Sequence, residues 1–285
     1  MRKIFWIAAL TILVFTGCAT TEPQMVDEPV EEVKAAPVEE PVQETMMIDV
    51  YLPVKETLKS SDGIVDGYVE SDYDDSGNLL EEREYNSEGI LLTRMQNSVE
   101  GGKIVRTEYF RGEDNEPGIY MVRKYENGYV VEEISYDQKD VPQTISRYER
   151  DSMGNILQWT VASGDNVPMM VTRYDYNGDR RLKAEFLTPL GESEGYIDYE
   201  WDGNLLMSEK TYDADGKLDK AVEYAYEGEY LIGETHYRKT VVNYTIEYVL
   251  DEAGNALVKK HFYRSGNLKA EWEYEYTSIK KEVLK

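Results

Sequence analysis

The sequence predicts an all-β protein: an elongated antiparallel β-meander of about 16 short strands in a repeat sheet that is curled or single-layered. Two observations predict it. Turn residues recur about every 12 to 13 positions, and the segments between them alternate apolar or aromatic with charged side chains. The seven to nine residues between turns suffice for a strand and are too few for a helix plus a strand, so consecutive strands run antiparallel. A signal peptide and an acidic tether precede this sheet.

Residues 1–17 have the pattern of a secretory signal peptide. Arg2 and Lys3 precede a 12-residue apolar run, Ile4–Phe15, which is followed by small residues and Cys18. At 1.5 Å per residue the run spans about 18 Å, short of the roughly 30 Å hydrocarbon core, which disfavours a permanent transmembrane helix. We therefore expect cleavage.

The Phe-Thr-Gly-Cys ending at Cys18 resembles the lipobox of bacterial lipoproteins, although the family usually has Leu where Phe15 stands. The resemblance implies that Cys18 is diacylated and becomes the new N-terminus. Two or three acyl chains would anchor the protein stably in the cell envelope, in the outer membrane rather than the inner one. A plain secreted protein with an accidental cysteine is the alternative.

Residues 18–45 are predicted to form an extended tether. They contain eight acids, one lysine and four prolines, with no glycine or aromatic residue, so they cannot bury enough apolar surface to fold. The repeated PVEE at Pro29 and Pro37 leaves a binding role open. The remaining residues, 46–285, form the predicted β-repeat domain.

Glycines set the period of this domain, because a tight turn needs a residue at positive φ. We expect Gly203→Val or Gly216→Val to cost more stability than a typical surface change. The glycines that carry the repeat lie 24 to 27 residues apart: Gly77, Gly101, Gly128, Gly154, Gly178, Gly203, Gly228 and Gly254.

Two segments alternate strictly enough to predict which side chains share a face. Glu81 to Glu84 instead place charge on both faces of one strand, which argues against a transmembrane barrel and for a sheet in water. Such an open sheet is expected to have a wide surface and no deep pocket. The apolar faces of the two clear strands are Leu268, Ala270, Trp272, Tyr274 and Tyr276, and Val242, Tyr244, Ile246, Tyr248 and Leu250.

Stretches such as YDDSGNLLEEREY from Tyr73 and YEWDGNLLMSEKTYDADGKL from Tyr199 resemble the YD repeats of Rhs-type proteins and the MORN-variant repeats of bacterial envelope proteins. The similarity covers roughly residues 63–276. In those families the repeats build shells, spirals or extended sheets that encapsulate, display or contact something else. The resemblance does not imply toxin activity, because repeats run almost to Lys285.

Composition excludes several functions. With 56 acidic against 31 basic residues the net charge is -25, and -27 after loss of Arg2 and Lys3, so nucleic acid and other polyanions are unfavourable partners. One cysteine cannot form an internal disulfide or a cysteine-based zinc site, and His236 and His261 are too few for a histidine-rich metal cage. We therefore expect no cofactor and no resident metal.

Three motifs suggest catalysis or metal binding, and each also has a purely structural explanation. Gly191 to Gly195 reads G-x-S-x-G around Ser193, with Asp251 and His261 following, but the next segment alternates like a strand where a hydrolase needs a helix. Acidic turns resemble parts of calcium loops without completing one, and Asp and Asn favour turns anyway. The residues of these turns are Asp213, Asp215 and Asp219, and Asp175, Asn177 and Asp179.

Trp159, Trp201 and Trp272 are candidate contacts for a partner, since with 24 tyrosines they could form a stacking platform for sugars. The alternative is that they supply the core of a sheet poor in Leu and Ile. The sequence thus predicts a lipid-anchored, non-enzymatic envelope protein that serves as a binding or scaffolding surface for a protein or glycan. An envelope hydrolase acting on cell-wall material is the rival hypothesis, and a ligand-binding module with a concave row of aromatics is a third.

Overall fold

The computed structural model describes residues 45–284, which form 18 antiparallel strands. The predicted signal peptide, Cys18 and the tether up to Glu44 lie outside these residues, and Thr45 already belongs to the first strand. No helix within residues 45–284 is long and apolar enough to cross a membrane. The strands are β1 Thr45–Ser60, β2 Val65–Tyr73, β3 Leu79–Asn86, β4 Leu91–Glu100, β5 Lys103–Arg111, β6 Glu116–Glu126, β7 Tyr129–Tyr136, β8 Pro142–Arg150, β9 Ile156–Ser163, β10 Pro168–Asn177, β11 Arg180–Leu187, β12 Ser193–Asp202, β13 Leu205–Asp213, β14 Leu218–Glu227, β15 Tyr230–Arg238, β16 Val241–Leu250, β17 Ala256–Tyr263 and β18 Leu268–Leu284.

The sheet closes on itself, which corrects the predicted open meander. Every strand pairs with its sequence neighbours, and β1 also pairs with β18 from Thr45 opposite Leu284 to Ser60 opposite Ala270. The predicted number of strands is also too low. The sixteen turns counted from Gly77 onward separate 17 strands, and the turn at Gly63 adds β1.

The barrel is hollow. Within residues 45–283 only six hydrophobic residues are buried, and the largest side chains with less than 2% exposure are those of Thr107 and Thr172. Each strand approaches only its two sheet neighbours. A barrel of 16 to 18 strands is wide enough to leave an open interior. The expectation of breadth without a pocket is therefore wrong, because closure turns one face of the sheet into an enclosed wall.

Two faces alternate along every strand, and burial identifies the inner one. Burial raises the pKa of a set of tyrosines that all share one face, as a closed sheet requires for side chains that point inward. We call this face the inner wall. Its tyrosines with burial-raised pKa values include Tyr148, Tyr174, Tyr199, Tyr224, Tyr248 and Tyr274.

The outer face carries charged pairs, both within a strand and between neighbouring strands. Arg83 Nη1 lies 2.7 Å from both Asp72 Oδ2 and Glu81 Oε1, and Lys210 Nζ lies 2.7 Å from Glu200 Oε1. Glu81 and Arg83 face outward while Glu82 and Glu84 face inward, so the predicted charge on both faces of this strand is confirmed.

The turns follow from Asp, Gly and Asn at fixed offsets. In the turn after β2, Asp74 Oδ1 accepts the N–H of Ser76 and of Asn78, and the Asn78 side chain donates to Asp74 Oδ2 at 2.8 Å. These bonds, led by that of the Asn78 side chain, lower the pKa of Asp74. Gly203 and Gly216 have φ of +55° and +75°, which confirms the backbone requirement predicted for them.

A repeated hydrogen bond ties the strands together at one rim. In six even-numbered strands, a residue at or beside a β-bulge donates from its side chain to a carbonyl on the preceding strand. We call these the rim hydrogen bonds. They join Tyr73 to Pro53, Tyr125 to Ile104, Arg150 to Val130, Trp201 to Arg181, Tyr226 to Leu206 and Tyr276 to Ala256, over 2.8 to 3.3 Å.

Candidate functional site

The inner wall of β15 to β18 carries a continuous row of rings. The ring of His236 stacks on that of Tyr244 with 4.2 Å between centroids, and Tyr244 lies 4.6 Å from His261 at a tilt of 52°. His261 in turn lies 6.3 Å from Trp272. We call these four rings the aromatic row. The pairing of the four strands places them side by side on one concave surface.

Electrostatics keep the aromatic row mainly apolar at neutral pH. Burial, reinforced by nearby Lys269 and Lys259, lowers the pKa of His261 below its ordinary 6.5, so this ring is neutral at pH 7. The ammonium group of Lys259 lies 5.6 Å from the Trp272 ring and 6.0 Å from that of Tyr248. The row is therefore a stacking surface with one cation at its edge.

Glu234, next to the row, is a structural carboxylate. Its side chain is only 6% exposed, His236 Nε2 lies 2.6 Å from Oε2, and Tyr248 donates to Oε1 at 2.6 Å. Burial opposes ionisation, but the bonds from His236 and Tyr248 prevail and lower its pKa. Because both oxygens are bound, Glu234 holds His236 and Tyr248 in place.

Glu209, two strands away on β13, has the opposite shift. Burial raises its pKa, and Glu234 adds to that effect, while Tyr224 and Arg181 oppose it. Paired carboxylates with divergent pKa values are typical of acid–base catalysis. In this pair, each oxygen of Glu234 already has one hydrogen bond, to His236 or from Tyr248, which fixes the orientation of its carboxylate.

The structure separates the residues of the G-x-S-x-G hypothesis. Ser193 begins β12 and is followed by a strand, while Asp251 lies in the turn after β16 and His261 lies in β17. β12 and β17 are not neighbours in the barrel. Ser193 therefore has no base from this motif beside it.

The acidic side chain of Asp213 forms hydrogen bonds within its own turn. Asp213 Oδ1 accepts the backbone N–H of Asp215 at 3.0 Å and of Lys217 at 2.8 Å, and Lys217 pairs with Asp215. Within the described part of the chain, no three His, Cys, Asp or Glu side chains are grouped closely enough to hold a metal ion. Asp175 lies in β10 and Asn177 ends it, with Asp179 in the turn that follows.

All three predicted tryptophans lie on the inner wall. Trp272 ends the aromatic row, Trp159 stacks beside Tyr148, and Trp201 donates a rim hydrogen bond to the Arg181 carbonyl at 2.8 Å. The indole N–H of Trp201 is therefore already used in a rim hydrogen bond. His236 and Tyr244 were not identified from the sequence as members of one row with Trp272. A signal was present, because His236 and His261 lie 25 residues apart, which is the length of one repeat.

Comparisons with known proteins find distant likenesses. A family model described as "Uncharacterised protein" matches residues 148–283, and no curated protein matches in sequence. A porin-like protein from Bacteroides uniformis is 12% identical, with a TM-score of 0.43 over 79% of this chain and 98% of that one. The predicted likeness to YD and MORN-variant repeats stays a prediction.

Two other solved structures show similarly low values. The Photorhabdus luminescens Tc holotoxin pore is 13% identical, with a TM-score of 0.23 over 78% of this chain and 15% of that one. An outer membrane lipoprotein-sorting protein domain from Vibrio parahaemolyticus is 8% identical, with a TM-score of 0.19 over 81% and 85% of the two chains. The function of this chain must therefore be argued from its own side chains.

Proposed function

We propose that this protein is a lipid-anchored, non-enzymatic binding protein of the bacterial cell envelope whose inner wall takes a glycan. Cys18 and the preceding apolar run support the anchor, and the tether supports a domain held away from the membrane. The charged outer face supports an aqueous surrounding for the barrel, since exposed ion pairs such as Lys210–Glu200 are stable in water and costly in lipid.

The observation that carries the glycan proposal is the aromatic row on a concave, enclosed surface. Flat rings at fixed spacing stack against the apolar faces of sugar rings, while nearby tyrosine hydroxyls and carboxylates bind sugar hydroxyls. The row at His236, Tyr244, His261 and Trp272 supplies the rings.

Width favours a glycan over a folded protein as the partner. Eighteen strands about 4.8 Å apart give roughly 27 to 36 Å between opposite backbones of a round barrel, depending on strand tilt. Side chains of about 6 Å on each wall leave roughly 15 to 24 Å. A glycan strand fits this space, whereas a folded domain of about 100 residues, with a radius of gyration near 13 Å, does not.

Titration with chitohexaose tests the proposal, with heat and tryptophan fluorescence as readouts. We expect Trp272→Ala to weaken binding about tenfold, since stacking by one large ring is worth roughly 1 kcal/mol or more. The matched control is Tyr237→Ala, which removes a ring from the outer face of β15 and should leave the affinity unchanged. No binding by the native protein, or equal losses in both variants, would contradict the proposal.

A further inference from the structure

The inner wall of β8 to β11 holds two arginines that have no acidic partner. Within residues 45–283, neither Arg150 nor Arg181 has a carboxylate within 4.0 Å, whereas Arg123, on the inner wall of β6, lies 2.7 Å from Glu133. An arginine that is partly buried without a counter-ion is unusual, because removing a charge from water is costly unless something compensates it.

Tyrosines surround Arg181. Its guanidinium carbon lies 4.5 Å from the ring centroid of Tyr174, 5.7 Å from that of Tyr199 and 5.8 Å from that of Tyr176. Within residues 45–283 it donates from Nε and Nη2 to the Tyr176 hydroxyl, both at 3.4 Å, and it shares a further hydrogen bond with Tyr199. Part of its donor capacity is therefore unused. Glu209 influences this charge from β13 but forms no ion pair with it.

Arg150 lies three strands away at the same rim. Its Nε donates to the Val130 carbonyl at 3.3 Å and its Nη1 to that of Gly154 at 2.7 Å. These bonds fix the guanidinium and leave Nη2 free to donate. Arg150 therefore supplies a positioned cation as well as a rim hydrogen bond.

Two buried polar atoms lie on the two strands between those of the arginines. Trp159 on β9 and Thr172 on β10 stand directly opposite each other on the inner wall. Trp159 Nε1 and Thr172 Oγ1 are buried without a hydrogen-bond partner in the described chain, and Thr172 is 1% exposed. The ring of Tyr148, which stacks on Trp159, lies 5.8 Å from the Arg150 guanidinium. Tyr174, whose ring lies 4.5 Å from Arg181, is two residues from Thr172. Buried donors are normally satisfied, so two unpaired atoms one ring away from two cations without ion pairs indicate a ligand.

We propose that Arg181 and Arg150, with Trp159 and Thr172 between them, form an anion subsite on the inner wall that takes a carboxylate or phosphate carried by a sugar. The inference rests on the proposed glycan-binding function and names the class of glycan. A guanidinium binds both oxyanions by paired N–H donors, so the geometry fits their shared chemistry. The net charge of -25 disfavours polyanions, so the subsite takes an isolated anionic group.

Two disaccharides that share a backbone test the subsite. N,N′-Diacetylchitobiose, here called chitobiose, is neutral, and N-acetylglucosaminyl-N-acetylmuramic acid adds one lactyl ether that carries a carboxylate. We expect the native protein to bind the acid about tenfold more tightly, as one charge-assisted contact predicts. Arg181→Gln should abolish that preference and leave chitobiose binding intact. Arg173→Gln, on the outer face of β10, is the matched control and should keep the preference.

Inorganic phosphate distinguishes the two oxyanions. Competition by phosphate against the acid but not against chitobiose supports a subsite open to both, and absence of competition supports one specific for carboxylate. An equal affinity for the two disaccharides, or a preference that survives in Arg181→Gln, would overturn the subsite. Failure of both disaccharides and of chitohexaose to bind would instead overturn the glycan proposal itself.

Discussion

Two glutamates on opposite faces of the barrel, Glu234 and Glu200, are stabilised in different ways. Glu234 faces inward with 6% of its side chain exposed, and Tyr248 and His236 hold both of its oxygens. Glu200 faces outward with 58% exposed, and it pairs with Lys210 and Ser208. Water can replace the ion pair between Glu200 and Lys210 but not the hydrogen bonds of Glu234. A buried polar group on the inner wall, such as Glu234, therefore needs a partner from the protein or from a ligand.

The largest loss of stability is expected when the inward-facing carboxylate of Glu234 is removed. Glu234→Ala leaves His236 and Tyr248 without their acceptor in a buried place, and we expect it to lower the free energy of unfolding by about 3 kcal/mol. Glu200→Ala should have a smaller effect, because Lys210 stays hydrated and only the Ser208 hydroxyl loses its acceptor in a buried place. Urea denaturation followed by circular dichroism measures both. Similar losses in the two variants would contradict the assignment of the faces.

A smaller effect is expected from the rim hydrogen bonds. Tyr226→Phe removes the hydroxyl that donates to the Leu206 carbonyl at 2.9 Å, and we expect a loss of about 1 kcal/mol in unfolding free energy. Tyr237→Phe removes an outer hydroxyl that donates to Glu223 at 2.8 Å, and thermal melting should hardly change. If the outer variant were the less stable one, the rim hydrogen bonds would not be stabilising.

The smallest expected effect is a pH dependence of stability that comes from Glu209 on the inner wall. Burial raises the pKa of Glu209 above its ordinary 4.5, so the folded state binds a proton more readily than the unfolded state. This carboxyl therefore contributes stability at low pH that is lost as pH rises through its folded pKa. We expect the difference in unfolding free energy between native protein and Glu209→Gln to fall as pH rises above 4.5. A difference that grows with pH would show that the shift has the other sign.

The strand faces were predictable from sequence, and the closure was not. Trp272 and Tyr274 on β18 and Tyr244 and Tyr248 on β16 share the inner wall, as their alternation predicts. Closure depends on pairing Thr45 with Leu284, a contact between distant parts of the chain that local periodicity does not encode. Pro53, beside a bulge in β1, further weakens the strand pattern there.

The candidate site was predictable only in part, for a related reason. Trp159 and Trp272 are conspicuous as large aromatic residues, whereas Arg150 and Arg181 resemble ordinary charged residues beside turns. Bulges next to their pairing partners direct their side chains inward. A signal is present in the repeat, because Arg150 stands at the repeat position that is a tyrosine, Tyr125 or Tyr176, in the adjacent repeats.

The pairing of Thr45 with Leu284 also fixes how the barrel can be handled and displayed. An even number of antiparallel strands starts and finishes on the same side, so both ends of the described chain emerge beside the mouth near Arg150 and Arg181. A fluorescent protein or affinity tag fused to either end would crowd that mouth. The far opening, ringed by turns such as the one at Gly191, would stay clear for immobilisation or labelling.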